Sequence, residues 1–475
     1  MTSSPGENAG KQAPVSSLGL TQALAAYVVQ PQFGSDYQKA AALARTGMVD
    51  AYAAAMAGVN EPVTRIAQAY AQKRAGQGGE LAPDWCSGTM LPVALAAFVN
   101  GAASHALDYD DVALSGHPST ALAPAILAQA HAQGASGDDC LRAYVVGYEV
   151  WAELASRESD PYHIKGWHPT AVFGTVAATA AVCHLRGLDA EVVTRALAIS
   201  ASLASGLVAN FGTMTKPMHS GRVGGLAFEA VELATLGLTA AADALEHHAG
   251  FLAAISPAGR VDRTSPLPVG RPPRILDTGL SIKKYPVCYS GHRVIDATID
   301  LATEANLDPE QVRRVTVGLG RPQISMLRNA APVTALEAKF SAQFAIASAL
   351  TRRKVGLAEL DDDFVNEPAM HELYRKVELV TVDKADPQDS AFALYDTVEI
   401  ETTDGRVLES GEVRYARGHA QLPLSDDDQR VKFMDCLDVW QRQGGTQADM
   451  PEAGVLYERL ENLAQWDNVQ TLFKK

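Results

Sequence analysis

Apolar residues recur three and four positions apart along residues 91–106, 122–132 and 193–207, the period of one helix face. The same rhythm, with alanine very frequent, runs from about Ser17 to Leu252, so this stretch reads as helix after helix. Breaks fall at clusters of Gly, Pro and Asp, as in residues 134–139 and 187–190. Small side chains at helix spacing let helix axes approach closely, which predicts a packed multi-helix domain.

The pattern changes after residues 257–274, which are rich in Pro, Gly, Ser and Arg, show little periodicity and read as a domain boundary. Beyond them, residues 281–287, 313–319, 376–382 and 395–402 are β-branched or alternating runs, the pattern of strands. Thr403-Asp404-Gly405 supplies a turn into a second strand at 407–413, which predicts a hairpin. Helical spacing lies between these runs at 290–305 and 336–350, and returns after Gly418 at 426–440 and 454–465. The expected fold class is mainly α, a large all-helical domain plus a smaller α+β lid domain. Its divisions are a disordered leader at 1–16, a helical domain at 17–270, the lid at 271–418, and C-terminal helices at 419–475 that rejoin the helical domain.

A chain of 475 residues has room for two or three domains with a large core. Apolar runs such as 171–183 are too short to span a bilayer, so no membrane partner is expected. The first residues hold neither a basic stretch nor an apolar signal core. Five scattered cysteines with no C-x-x-C pair give no disulfide framework or zinc ribbon, and a cytoplasmic location is expected. Lys and Arg number 40 against 55 Asp and Glu, a net charge of −15. With no basic block to neutralise phosphates, nucleic acid is not an expected partner. Gly221-Arg222-Val223-Gly224-Gly225 lacks the G-x-G-x-x-G spacing and no G-x-S-x-G elbow occurs, so neither a nucleotide cofactor nor a serine nucleophile is expected.

Four stretches look wrong for pure packing. In the first, an apolar helix runs into His105-Ala106-Leu107-Asp108-Tyr109-Asp110-Asp111, and Gly116-His117-Pro118-Ser119 follows. The second holds His163, Trp167, His168 and Pro169; the third Lys216, Pro217, His219 and Arg222; the fourth Lys283, Lys284, Pro286 and Cys288, with His292 four residues on. His117, His168 and Lys216 each directly precede Pro, which biases them to extended geometry. Converging lysines and histidines would form a cationic pocket for carboxylates, each charged hydrogen bond contributing roughly 1.5–3 kcal/mol. Asp108 at a helix end would meet the unfavourable pole of the dipole, and a histidine hydrogen bond would hold it there. Blander readings stand beside these: a lone His-Pro is a turn, Asp108 to Asp111 a solvated cap, Lys283 and Lys284 edge-strand charges, Met214 and Met218 packing. Metal is the rival reading for His105, Asp108, Asp110, Asp111 and His117. Their spacing matches no zinc or calcium pattern and nearby lysines would repel a cation, so no metal is expected.

At these residues the sequence resembles the MmgE/PrpD superfamily of 2-methylcitrate dehydratases, cis-aconitate decarboxylases and iminodisuccinate epimerases. The resemblance runs from about Leu18 to Leu472. Its carrying strings are His105 to Asp111, Gly116 to Ser119, Gly166 to Thr170, Phe211 to His219, Lys283 to Cys288 and Glu337-Ala338-Lys339-Phe340-Ser341. It implies a helical domain closed by the C-terminal helices, an α+β lid, an active site in the cleft between them, and a homodimer. It also carries active-site positions onto Asp108, His117, His168, Lys216 and Lys283. Two departures bear on the reaction. Val112-Ala113 stands where the dehydratase and decarboxylase patterns have Thr-Trp, and Cys288 stands where the decarboxylase has His.

The expected reaction is removal of a proton from carbon beside a carboxylate or imine of a small di- or tricarboxylate, or its reverse, without cofactor. His117 or His168 is the expected base, with Asp108 fixing the tautomer of one of them. Lys216 and Lys283 would neutralise substrate carboxylates and enolate-like charge, and Ser119, His219 and His292 would bind substrate. Gly212 to His219 and Cys288-Tyr289-Ser290-Gly291-His292 are similar to the epimerase branch, so epimerisation is preferred here over loss of water or carbon dioxide. A metal-dependent hydrolase and a non-catalytic carboxylate-binding protein remain as alternatives.

Overall fold

The computed structural model describes residues 18–76, 79–268, 270–387, 391–445 and 450–474, so the expected leader at 1–16 lies outside the described residues. The chain is mainly α. Among the described residues, nine α-helices fill its first half: α1 (Leu20–Val29), α2 (Tyr37–Ala57), α3 (Pro62–Arg74), α4 (Val93–His105), α5 (Pro118–Gln133), α6 (Gly137–Ala155), α7 (Pro169–Leu185), α8 (Ala190–Leu203) and α9 (Thr215–Thr235). Local sequence sets their ends. Ser136 and Asp139 form a reciprocal capping box at the start of α6, and Asp189 caps α8. Proline opens α3, α5 and α7, where its missing N–H costs nothing.

Helices α4, α5, α7 and α9 pack on one another. Their contact faces are small: Ala97 and Ala103 on α4, Ala121 and Ala125 on α5, Ala177 and Ala181 on α7, and Ala227 on α9 are all buried. The helix Asp426–Arg442 returns to lie on α2, with Phe433 stacked on Tyr52 at 6.5 Å between ring centroids. One hydrophobic core therefore draws on residues 20–282 and again on 424–472. No helix among the described residues is long and apolar enough to cross a membrane.

A second core gathers residues 285–400. After a short antiparallel pair, β1 (Leu81–Pro83) with β2 (Met90–Pro92), the remaining strands form one sheet. These are β3 (Val312–Leu319), β4 (Val377–Thr381), β5 (Thr397–Thr402) and β6 (Val407–Glu409), ordered β4-β3-β5-β6. β3 pairs parallel with β4 and antiparallel with β5, and β5 turns into β6 through Thr403-Asp404-Gly405 with Gly405 at φ 88°. Helices His292–Glu304 and Pro368–Lys376 pack against this sheet, and Ala342–Arg352 joins both.

Two expected elements differ in kind, and the strand expected at 407–413 stops at Glu409. Residues 281–287 form no strand: Ser281 bridges Val112, the Ile282 N–H goes to the Gly418 carbonyl, and Pro286 has no N–H to give. The expected helix at 336–350 is two helices, Ala335–Ala338 and Ala342–Arg352, because the Ser341 hydroxyl caps the second by accepting from the Phe344 N–H. The break turns Lys339 and Phe340 inward, where both are buried.

Candidate active site

His117 and His168 stand immediately before α5 and α7, each followed by proline. Proline disfavours helical geometry in the residue before it, and these two sit at φ −126°, ψ 80° and φ −84°, ψ 108°, whereas Lys216, also expected to be extended before Pro217, is instead taken up into the start of a helix. Lys216 and His219 lie in the first turns of α9. Because the three helices pack together, their N-terminal ends bring imidazoles, an ammonium and three positive helix poles to one place. The loop before α5 is shaped to reach it. Ala113 and Gly116 exchange both backbone hydrogen bonds around Leu114 and Ser115, which both have positive φ. A Cβ on Gly116 would press on the Trp151 ring at 2.8 Å and the Thr170 amide at 3.1 Å, so only glycine lets the loop lie flat there.

α4 ends at His105, and Asp108 then adopts φ 54°, left-handed geometry that costs a non-glycine residue roughly 1–2 kcal/mol. Three lysines staple this turn: Lys283 Nζ donates to the Asp108 carbonyl at 2.6 Å, Lys432 Nζ to the Tyr109 carbonyl at 2.7 Å, and Lys339 Nζ reaches the Ala106 carbonyl at 3.4 Å. The Asp108 carboxylate receives Lys216 Nζ at 2.5 Å on one oxygen and Lys283 Nζ at 3.1 Å on the other. Exposure of these three side chains is 7 %, 7 % and 1 %, so one buried carboxylate holds two buried ammonium groups. Phe211 and Phe340 flank Lys216 Nζ, their centroids 5.2 and 5.6 Å away.

Asp110 organises the imidazoles. His105 Nδ1 lies 2.8 Å from Asp110 Oδ1, and His117 Nδ1 lies 3.0 Å from Asp110 Oδ2 and 2.9 Å from the Asp111 carbonyl. These partners only accept, so each Nδ1 carries the hydrogen and each Nε2 presents a lone pair. The Nε2 atoms stand 4.0 Å (His105) and 3.8 Å (His117) from Asp108 Oδ1, and that of His105 has no hydrogen-bond partner among the described residues. The Nδ1 atoms of His168 and His219 share one hydrogen across 3.2 Å.

Burial sets the charges. It lowers His105 to about 4 despite the opposing pull of Asp110, and burial with the Lys216 charge lowers His219 to about 4 and His168 well below the usual imidazole value. All three are neutral at pH 7. Burial would raise Asp108, but Lys216 and Lys283 outweigh it and hold the carboxyl well below its ordinary range. Asp110 is likewise held down against burial by His105 and His117. Asp111 goes the other way, raised well above its ordinary value by burial and by the charges of Asp110 and Asp50.

Asp108, His117, Lys216 and Lys283 thus meet around one carboxylate, and His168 adjoins them through the His105 ring, 6.3 Å between centroids, with His219 behind it. Ser119 and His292 do not join. The Ser119 hydroxyl pairs with Tyr144 OH at 2.6 Å inside the helical core, and His292 Nε2–H donates to the Val287 carbonyl at 3.1 Å among Tyr285 and Tyr289. Nor does Asp108 fix a histidine tautomer: its oxygens are taken by the two ammonium groups, and Asp110 does this for two rings. Residues 108–111 are no solvated cap, since all four are buried, and Lys283 is no edge-strand charge. His105 and Asp110 stood in plain view within the string His105 to Asp111. Phe211 and Phe340 carried no chemical signal.

His105, Asp108, Asp110 and His117 each offer one ligand atom, all within 4.8 Å of one another, which is a donor set for a cation. The carboxylate donors are already committed, although the two Nε2 lone pairs are not. Two ammonium groups fill the oxygens of Asp108, and Asp110 holds the Nδ1 hydrogens of both rings, so a dication would have to displace Lys216 and Lys283 against their repulsion. This geometry fits an anion approaching the ammonium groups better than a metal.

The chain matches the MmgE/PrpD N-terminal domain over residues 22–264 and the MmgE/PrpD C-terminal domain over residues 285–450. It is 31% identical over 354 residues to the cis-aconitate decarboxylase of Homo sapiens, covering 72% of each chain. It is 32% identical over 357 residues to that of Mus musculus, covering 72% of this chain and 71% of the relative. To the cis-aconitate decarboxylase of Aspergillus terreus (strain NIH 2624) it is 28% identical over 356 residues, covering 66% and 68%. Matched over both domains, this chain belongs to the MmgE/PrpD family of enzymes.

Proposed function

We propose that the chain is a cofactor-independent lyase of a small di- or tricarboxylate, moving a proton at the carbon beside a carboxylate as carbon dioxide or water leaves. The carrying observation is the pair of buried ammonium groups, Lys216 and Lys283, on one carboxylate beside neutral imidazoles. Ammonium hydrogens not used by Asp108 would orient substrate carboxylates and stabilise the enolate-like charge that builds on one of them. Desolvation strengthens both effects, since Coulomb attraction grows as the local dielectric falls.

His117 is the proposed proton carrier. Its Nδ1–H is fixed by Asp110 and the Asp111 carbonyl, which aims the Nε2 lone pair at the same centre as the ammonium groups. In a dehydration this nitrogen takes the proton from carbon while the Lys216 ammonium group gives a proton to the departing hydroxide, and exchange with water then resets both groups. In a decarboxylation Nε2 first takes a proton from solvent; the carbon–carboxyl bond then breaks, its electron pair moves toward the remaining carboxylate, carbon dioxide leaves, and the Nε2 proton passes to carbon, which returns the ring to its neutral form. Relatives named for decarboxylation support the lyase reading over the epimerase preference taken from residues 212–219 and 288–292.

Proton NMR of separate incubations with cis-aconitate, 2-methylcitrate and iminodisuccinate tests this. A product lacking one carbon dioxide or one water is expected from at least one of the first two. Inversion of iminodisuccinate with no loss from the others would return the epimerase. No change in any of the three would refute an enzyme of this substrate class.

A further inference from the structure

Lys339 belongs to the string Glu337 to Ser341, yet it takes no part in the chemistry around Asp108. It is 4 % exposed, and among the described residues its ammonium group has the Ala106 carbonyl at 3.4 Å and Glu61 Oε2 at 3.9 Å as its partners. An ammonium buried with such weak partners is costly, and burial accordingly lowers its proton affinity. It opens onto a cavity of about 690 Å³ between the two cores, where Tyr109 and Lys432 face Lys284 and Leu360. None of Asp108, His117, His168, Lys216 and Lys283 lines this cavity.

Four lysines and three arginines line it against one glutamate and three aspartates, and Asp50, Asp296, Asp300 and Asp438 pair with three of those cations from behind the lining. Several of these charges are spoken for: Lys432 pairs with Asp50, Arg417 with Asp296 and Asp300, Arg353 with backbone carbonyls. Lys284 and Lys354 have no side-chain hydrogen bond or ion pair among the described residues. Lys284, Lys339 and Lys354 are thus weakly partnered or unpartnered cations on one concave surface, and its volume falls in the roughly 300–1,000 Å³ of small-molecule sites.

We propose that this cavity binds a small multivalent anion, carrying carboxylate or phosphate groups, through Lys284 and Lys339 with Lys354 at its edge. The site is separate from the proposed reaction centre but shares a wall with it. Lys339 and Lys432 reach the carbonyls of Ala106 and Tyr109, on either side of Asp108, so an anion that draws Lys339 loosens one staple of the turn that carries Asp108.

Calorimetric titration of the full chain with citrate and, separately, with inorganic pyrophosphate tests the site. In a Lys216→Ala protein, at least one anion is expected to bind once per chain. Adding Lys284→Ala should weaken that binding tenfold or more, about 1.4 kcal/mol. Lys339→Met should do the same, and the half-buried Lys284 carries the test alone if Lys339→Met fails to fold. Citrate binding alone identifies a carboxylate ligand, and pyrophosphate binding alone a phosphate ligand. Absence of binding by both in the Lys216→Ala protein, or binding that Lys284→Ala leaves unchanged, overturns the proposal.

Discussion

Replacing Asp108 by Asn removes the one charge that balances two buried cations without changing side-chain size. Lys216 and Lys283 approach it at 2.5 and 3.1 Å with almost no solvent access, so neither ammonium regains water when the carboxylate goes. Breaking a buried pair from one side costs about 3–5 kcal/mol because it leaves an uncompensated charge. The amide oxygen of Asn can still accept one hydrogen bond, which offsets about 1 kcal/mol of this. A net loss of about 3 kcal/mol is a large share of the roughly 5–15 kcal/mol that stabilises a typical domain. Urea unfolding followed by circular dichroism should show it as a lower midpoint. Adding cis-aconitate should restore more stability to the variant than to the parent, since substrate carboxylates can take the vacated place. A loss below about 1 kcal/mol, the range of exposed pairs, would mean that the two ammonium groups are solvated and that the site is not built as described.

Asp110→Asn should lower turnover at least ~100-fold, as expected when a positioned acid–base group is misaligned, with substrate affinity nearly unchanged; equal turnover would remove Asp110 from its positioning role. The His105 imidazole, at about 4 in the fold and about 6.5 when unfolded, binds more protons unfolded between those values, so its contribution is full above pH 6.5 and declines as pH falls toward 4. Asp111, raised in the fold, works in the opposite sense, so the stability difference between parent and His105→Asn is the quantity to follow. That difference should shift by about 3 kcal/mol at most between pH 7 and 4, and a flat difference refutes a buried neutral ring. Gly418→Ala should destabilise and lower activity together, because φ 89° suits glycine and an added Cβ would collide with the Ile282 carbonyl beside Lys283. Full activity in that variant would separate the Ile282–Gly418 contact from the placement of Lys283. Exhaustive chelation should leave turnover intact; loss restored by a divalent ion would favour the donor set of His105, Asp108, Asp110 and His117 as a metal centre.

Helices were legible where local rules suffice. Alanine-rich periodicity and the breaks at residues 134–139 and 187–190 are short-range signals. His117 and His168 were legible for a related reason, since a following proline disfavours helical geometry and each stands just outside its helix, although Lys216 before Pro217 did not obey the same bias. Residues 281–287 misled because apolar alternation says nothing about where backbone donors go, and here Gly418, far along the chain, takes the Ile282 N–H. The roles within His105 to Asp111 were similarly hidden. A left-handed residue at Asp108 sends its carboxylate to Lys216 and Lys283 and leaves Asp110 to the histidines, and no spacing rule announces that turn.

The most direct measurement is the fate of solvent hydrogen. Turnover of cis-aconitate in deuterium oxide, read by NMR and mass spectrometry of the product, should place one deuterium on a carbon beside a remaining carboxylate. His117→Gln should abolish that incorporation together with turnover. A decarboxylated product with no carbon-bound deuterium, or full incorporation in His117→Gln, would contradict proton delivery by this imidazole.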